Sequence, residues 1–168
     1  MNTANPLDLA IEGDGFFQVT LPNGELMYTR DGALRLNSLG NLVTAQGYLL
    51  SPVITLPPDS ISTSVGIDGT VSCQTAGANT STIVGQFSLV KFLNPCWLQS
   101  EPGHLFRETT EAGAPVSATP GQGGTGLIQQ GFLEHRTDQL VYRLIELARK
   151  LSEEQTGDST EVRVRIAK

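Results

Sequence analysis

Charge is thin along most of this 168-residue chain. Residues 1–133 carry four basic side chains, Arg30, Arg35, Lys91 and Arg107, beside ten acidic ones. With a formal net charge of −6 and no basic cluster in that stretch, nothing is placed to neutralise phosphates, which argues against nucleic acid as a partner. Long apolar runs are also missing. None approaches the roughly 20 residues that cross a bilayer as a helix, and the first residues lack the basic-then-apolar pattern of a secretory signal, so no membrane insertion is expected. Metal-ligating residues are few: Cys73, Cys96, His104 and His135 stand in no CxxC, HxxxH or HExxH spacing, and neither a metal nor a cofactor is expected. The two cysteines would pair in an oxidising compartment or remain thiols, and their positions do not decide between these.

Turn-forming residues are plentiful: 18 glycines and 9 prolines punctuate short apolar segments, which favours many tight turns. The first segment shows the pattern. Leu7, Leu9 and Ile11 alternate with Asp8, Ala10 and Glu12, as in a strand with one buried and one wet face. Gly13-Asp14-Gly15 interrupts it, and Phe16-Phe17-Gln18-Val19 resumes as a second strand, so the run is expected to form a hairpin with Asp14 as a turn former bonding nearby backbone N–H groups. Leu21-Pro22-Asn23-Gly24-Glu25, Arg30-Asp31-Gly32 and Ser38-Leu39-Gly40-Asn41 read as further turns between short strands. Length alone permits a single domain that buries most of its apolar surface without a disulfide or metal.

The composition changes at about Glu134. Residues 134–168 carry seven basic and seven acidic side chains, as many charges in 35 residues as in the preceding 133. The hydrophobic period changes there from two to about 3.6. Leu140, Leu144, Leu147 and Leu151 form one apolar stripe of a helix expected over about 137–155, with Thr137 as N-cap and Gly157 just past its end. Two roles stay open for that stripe: docking onto the chain's own β domain, or self-association into a small homo-oligomer, which so short a heptad run supports only marginally. Val162, Val164 and Ile166 then alternate with Arg163 and Arg165, as in a final short strand with a solvated face.

Several ordered segments carry a resemblance: DGFFQV at 14–19, YTRDGALRLNSLGNLVTAQGYLLSP at 28–52, IDGTVS at 67–72, GQFSLVKFLNP at 85–95, LFRETTEAGAPVSATPG at 105–121 and GLIQQGFLE at 126–134. In this order they resemble the β-rich outer domain of the bacterial flagellar rod and hook protein family, over about residues 5–134, and most of all its distal rod members. The resemblance implies a mainly β, antiparallel, hairpin-rich domain over 1–133; the helix and final strand read at 134–168 form a non-family tail, the helix departing from the family's pattern and the strand having no family counterpart. It implies a structural subunit of the distal rod, a drive shaft that carries torque from motor to hook through the periplasm. Its implied partners are other rod subunits and the hook and ring proteins, and no catalysis is implied. The residues expected to hold the hairpins rigid are Gly13, Asp14, Gly15, Phe16 and Phe17 at the first turn, with Gly131 and Phe132 ahead of the helix.

The family's N-terminal helix, which pairs with the C-terminal one in an assembled rod, has no counterpart in this sequence. The chain alone is therefore expected to be a monomer or small closed oligomer, and the alternative reading is a stand-alone binding or oligomerisation module built on a rod-type domain. Two local features point elsewhere without carrying weight. Cys96 and His104 share a loop, as a thiol nucleophile and its base would, but no third group orients the histidine. The Gly-rich 120–126 segment lacks the Lys-Ser/Thr of a phosphate loop and reads as a flexible connector.

Overall fold

A computed structural model describes residues 2–134, 144–145 and 147–151, and the first of these stretches is built almost wholly of strands and turns. The strands are β1 (Leu9–Glu12), β2 (Phe17–Thr20), β3 (Leu26–Thr29), β4 (Arg35–Leu36), β5 (Leu42–Val43), β6 (Leu49–Ser51) and β7 (Ser60–Val65). They continue as β8 (Thr70–Thr75), β9 (Thr82–Gln86), β10 (Leu89–Lys91), β11 (Gln99–Glu101), β12 (Leu105–Arg107), β13 (Val116–Ala118) and β14 (Leu127–Gln130), with one 3-10 turn at Pro95–Trp97. One sheet runs in the order β11-β12-β3-β2-β6-β5-β4 and a second in the order β7-β8-β9, while β1 pairs with β14 and β10 with β13. Every pairing is antiparallel. Residues 144–145 and 147–151 are helical. Thr137, Leu140, Gly157 and the final strand expected at its valines and isoleucine lie outside the described residues.

The period-two pattern explains how the core forms. Leu9 and Ile11 are buried from β1, and Phe17 and Val19 from β2, because alternate side chains of a strand face the same side. Phe16 and Phe17 are neighbours and so face opposite ways. Phe17 enters the main core with Leu9, Val19, Leu50, Val71 and Ile128, meeting Phe87 edge to face with ring centroids 5.9 Å apart. Phe16 enters a second cluster with Tyr28, Val90 and Leu98, where its ring lies 6.0 Å from Phe92 and 5.7 Å from Phe106. Two adjacent phenylalanines thus anchor two separate hydrophobic clusters.

Two of the expected turns close hairpins, β2 to β3 through Leu21-Pro22-Asn23-Gly24-Glu25 and β4 to β5 through Ser38-Leu39-Gly40-Asn41; Arg30-Asp31-Gly32 links β3 to β4, which do not pair, and Ala45-Gln46-Gly47 closes a further hairpin between β5 and β6. The first turn does not. Leu9 to Glu12 pair with Gln130 to Leu127, and β2 lies between β3 and β6, so Gly13-Asp14-Gly15 is a crossover between sheets rather than a hairpin loop. The cause lies in what meets this turn. A Cβ on Gly13 would stand 2.8 Å from the Gly126 Cα, and the Gly126 N–H donates to the Asp14 carbonyl at 2.8 Å. The 120–126 loop is therefore seated against the turn, and the two strands leave it toward different partners.

Candidate assembly surface

The Gly13-Asp14-Gly15 crossover is organised from beneath by Arg30, which follows β3. Its Nη1 donates to the carbonyls of Gly13 (2.9 Å) and Gly15 (2.8 Å), and its Nη2 to that of Ile11 (3.1 Å). Its Nε donates to the Glu134 carboxylate, 2.9 Å from Oε2 and 3.2 Å from Oε1. Both side chains of this ion pair are below 10% exposure, at 7% and 9%. Gly13 and Gly15 stand at φ +121° and +125°, a backbone that L side chains rarely adopt and that aims both carbonyls at one guanidinium. Asp14 itself is exposed, and the bond that ties it to the fold is accepted by its carbonyl.

Gly131 and Phe132 join the two ends of the β domain. The Gly131 N–H donates to the Asp8 carbonyl at 2.8 Å, and the Gly131 carbonyl accepts from the Thr3 N–H at 2.8 Å. Phe132, grouped by sequence with the rigid positions, is 37% exposed and is held through its backbone by a bridge to Asn2 rather than by burial. Residues 2–8 and 131–134 therefore lie side by side.

The helical residues that follow present their leucines outward. Leu144, Leu147 and Leu151 are 55%, 44% and 39% exposed. What meets the β domain is the basic side of the helix. Lys150 places its Nζ 3.1 Å from the centre of the Trp97 ring, a cation–π contact, and Arg149 lines a cleft of about 470 Å³ with Asp14, Phe16, Lys91, Leu93 and Val116. Leu93 and Val116 are also exposed, so apolar surface continues from that cleft toward the helix.

Little here resembles a chemical centre. Among the described residues no three His, Cys, Asp or Glu side chains gather to hold a metal, and no helix is long and apolar enough to cross a membrane. Cys73 is buried in β8, Cys96 lies in the 3-10 turn, and neither is in a disulfide. His104 stands at φ +60°, where its carbonyl accepts from the Thr29 hydroxyl at 2.8 Å, a turn role. The perturbed titrating groups are structural as well. The Thr70 backbone N–H holds the exposed Asp68 carboxyl below its usual range, and Glu101 and Glu25 raise Arg107 by bonding it across β11, β12 and the β2–β3 turn. Arg30 and Glu134 were not singled out by sequence: Arg30-Asp31-Gly32 reads as an exposed turn, and a buried charge leaves no trace in local periodicity.

Comparison with known proteins gives this arrangement its context. Residues 10–73 match the family model of the flagellar hook protein FlgE/F/G D1 domain. The chain is 41% identical over 145 residues to the flagellar basal-body rod protein FlgG of Buchnera aphidicola subsp. Schizaphis graminum, covering 86% of this chain and 56% of that protein. It is 40% identical over 150 residues to the FlgG rod protein of Borreliella burgdorferi, covering 88% and 57%. A rod protein named FlgF, from Caulobacter vibrioides, matches at 37% over 152 residues, covering 86% and 56%. The chain thus spans a little over half the length of the curated relatives it matches. Residues 10–73 thus match a D1-type domain in sequence, and over most of its residues the chain is similar to flagellar hook and rod proteins.

Proposed function

We propose that this chain acts as a structural subunit of the distal flagellar rod, the shaft that carries torque from motor to hook across the periplasm. It catalyses nothing in this reading, and its partners are other rod subunits together with the hook and ring proteins. The observation that carries the proposal is the identity of 40–41% to rod proteins named FlgG, sustained over 86–88% of the chain. Two features of the fold support it. Residues 2–8 and 131–134 leave the β domain side by side, as the paired terminal helices of a rod subunit require. The helix beyond them turns its leucines outward and keeps a basic side against Trp97, so its apolar stripe is available to a neighbouring subunit.

The exposed stripe also favours a second reading, a closed oligomer formed by this chain alone. Light scattering across a concentration series tests the role of the leucines in both. The full chain is expected to gain mass as concentration rises, and a variant with Leu144→Ser, Leu147→Ser and Leu151→Ser to remain a monomer. A fixed mass at a defined small number of copies supports the closed form. A full chain that stays monomeric throughout removes the leucine face from the proposal.

A further inference from the structure

We infer that Arg30 and Glu134 form a clasp that fixes the direction in which the C-terminal segment leaves the β domain. Glu134 is the last described residue before the segment that leads to the helix, and its carboxylate receives the Arg30 Nε–H with both side chains below 10% exposure. The same guanidinium is locked by three backbone carbonyls, those of Ile11, Gly13 and Gly15. Because these carbonyls belong to the end of β1 and the crossover that leads to β2, the clasp ties the root of the tail to the junction of two sheets. A buried ion pair is poor evidence of net stabilisation, since desolvation of both charges offsets much of their attraction. Its best-attested use is to select one geometry among several, because any arrangement that separates the partners leaves a buried charge uncompensated.

Arginine suits this place in a way lysine does not. Its planar fork addresses three carbonyls and a carboxylate at fixed angles, whereas an ammonium is a point donor on a flexible stem. Arg30 and Glu134 are therefore positioning residues: they act on the angle of the tail and touch no partner themselves. This deepens the rod reading, because a subunit that transmits torque needs a stiff joint between its outer domain and its helix. The test is made on the isolated chain, so its outcome does not depend on that reading.

The experiment is pulsed electron resonance between spin labels at Ser38 and Ala148, both exposed, in a Cys96→Ser background that leaves only the buried Cys73. One narrow distance distribution is expected with the pair intact. Glu134→Ala is expected to broaden it by roughly twofold or more and, because it leaves the Arg30 charge without its counter-ion, to lower the melting temperature as well. Glu134→Gln, which keeps an acceptor for the Nε–H, is expected to fall between the two, and this conservative variant decides the matter where Glu134→Ala folds poorly. A distribution of unchanged width in a folded Glu134→Ala or Glu134→Gln protein would overturn the clasp. A failure of oligomerisation with the distribution unchanged from native to variant would count against the rod reading and the clasp separately.

Discussion

Tyr28 and Phe17 are both about 1% exposed in neighbouring strands, yet their side chains stand in opposite energetic positions. Phe17 is apolar throughout and fills the main core against Phe87, so Phe17→Ala should cost about 3–5 kcal/mol. The Tyr28 ring packs on Phe92 at 4.8 Å between centroids, but its hydroxyl finds no hydrogen-bond partner among the described residues. Tyr28→Phe should therefore leave stability unchanged or raise it by about 1 kcal/mol, since it removes an unpaired polar atom and keeps the ring. Burial first, and the nearby Glu108 second, raise the Tyr28 phenol above its ordinary 10.0. A raised phenol favours the neutral form in the fold, so its contribution is complete below pH 10 and is lost as pH climbs through the raised folded value. Denaturant titrations of native, Phe17→Ala and Tyr28→Phe proteins at neutral pH and above pH 10 check both points. Native protein should weaken in the alkaline range more than Tyr28→Phe. That Phe16 and Phe17 are apolar strand residues is legible in the sequence, whereas their separation into two clusters requires knowing which sheets lie on either face of β2.

At the scale of elements, β14 is the stitch of the fold. It pairs with β1, and its Ile128 N–H donates to the Ile67 carbonyl at 3.0 Å, on the turn between β7 and β8. Gln130 completes the seam. Its Nε2 donates to the carbonyls of Pro6 and Thr63, each at 2.9 Å, and its Oε1 accepts from the Val65 N–H at 3.1 Å. One side chain thus satisfies backbone groups along the edge of β7 that would otherwise lie open to another strand. Gln130→Leu should destabilise the protein by about 1–3 kcal/mol by leaving those groups unpaired. Amide exchange offers a local readout: the Val65 N–H should lose protection in the variant while amides of β2 and β3 keep theirs. Sequence made the short strands and two of their hairpin turns legible, because alternation and turn chemistry are local. It could not make the β1–β14 pairing legible, because the Gly13-Asp14-Gly15 turn has the same residues whether it closes a hairpin or crosses between sheets. The decision falls to Arg30 and Gly126, each distant in sequence from the strands it redirects.

For the whole molecule, the governing features are a sparsely charged β domain and a charged, leucine-bearing helix. The charge break near Glu134 was legible from composition, and the structure places at that residue the buried partner of Arg30. The direction of the helix was not legible. A leucine stripe predicts burial somewhere, and only the contact of Lys150 with Trp97 reveals that the basic side faces the β domain and the stripe faces out. Trp97 marks the difference between reading residue types and reading neighbours: a bulky side chain in a loop acquires meaning only when a cation arrives above it.

The account rests on residues 5–134 being the outer domain of a rod subunit, compatible with the neighbours that such a domain meets. The most direct test replaces the corresponding region of a FlgG rod protein with these residues, in a motile bacterium that lacks its own copy, and measures swimming together with the rods seen by electron microscopy. A folded chimera that restores motility and builds rods of normal length is the predicted result. A chimera that folds and is exported but leaves the rods unfinished would contradict the account.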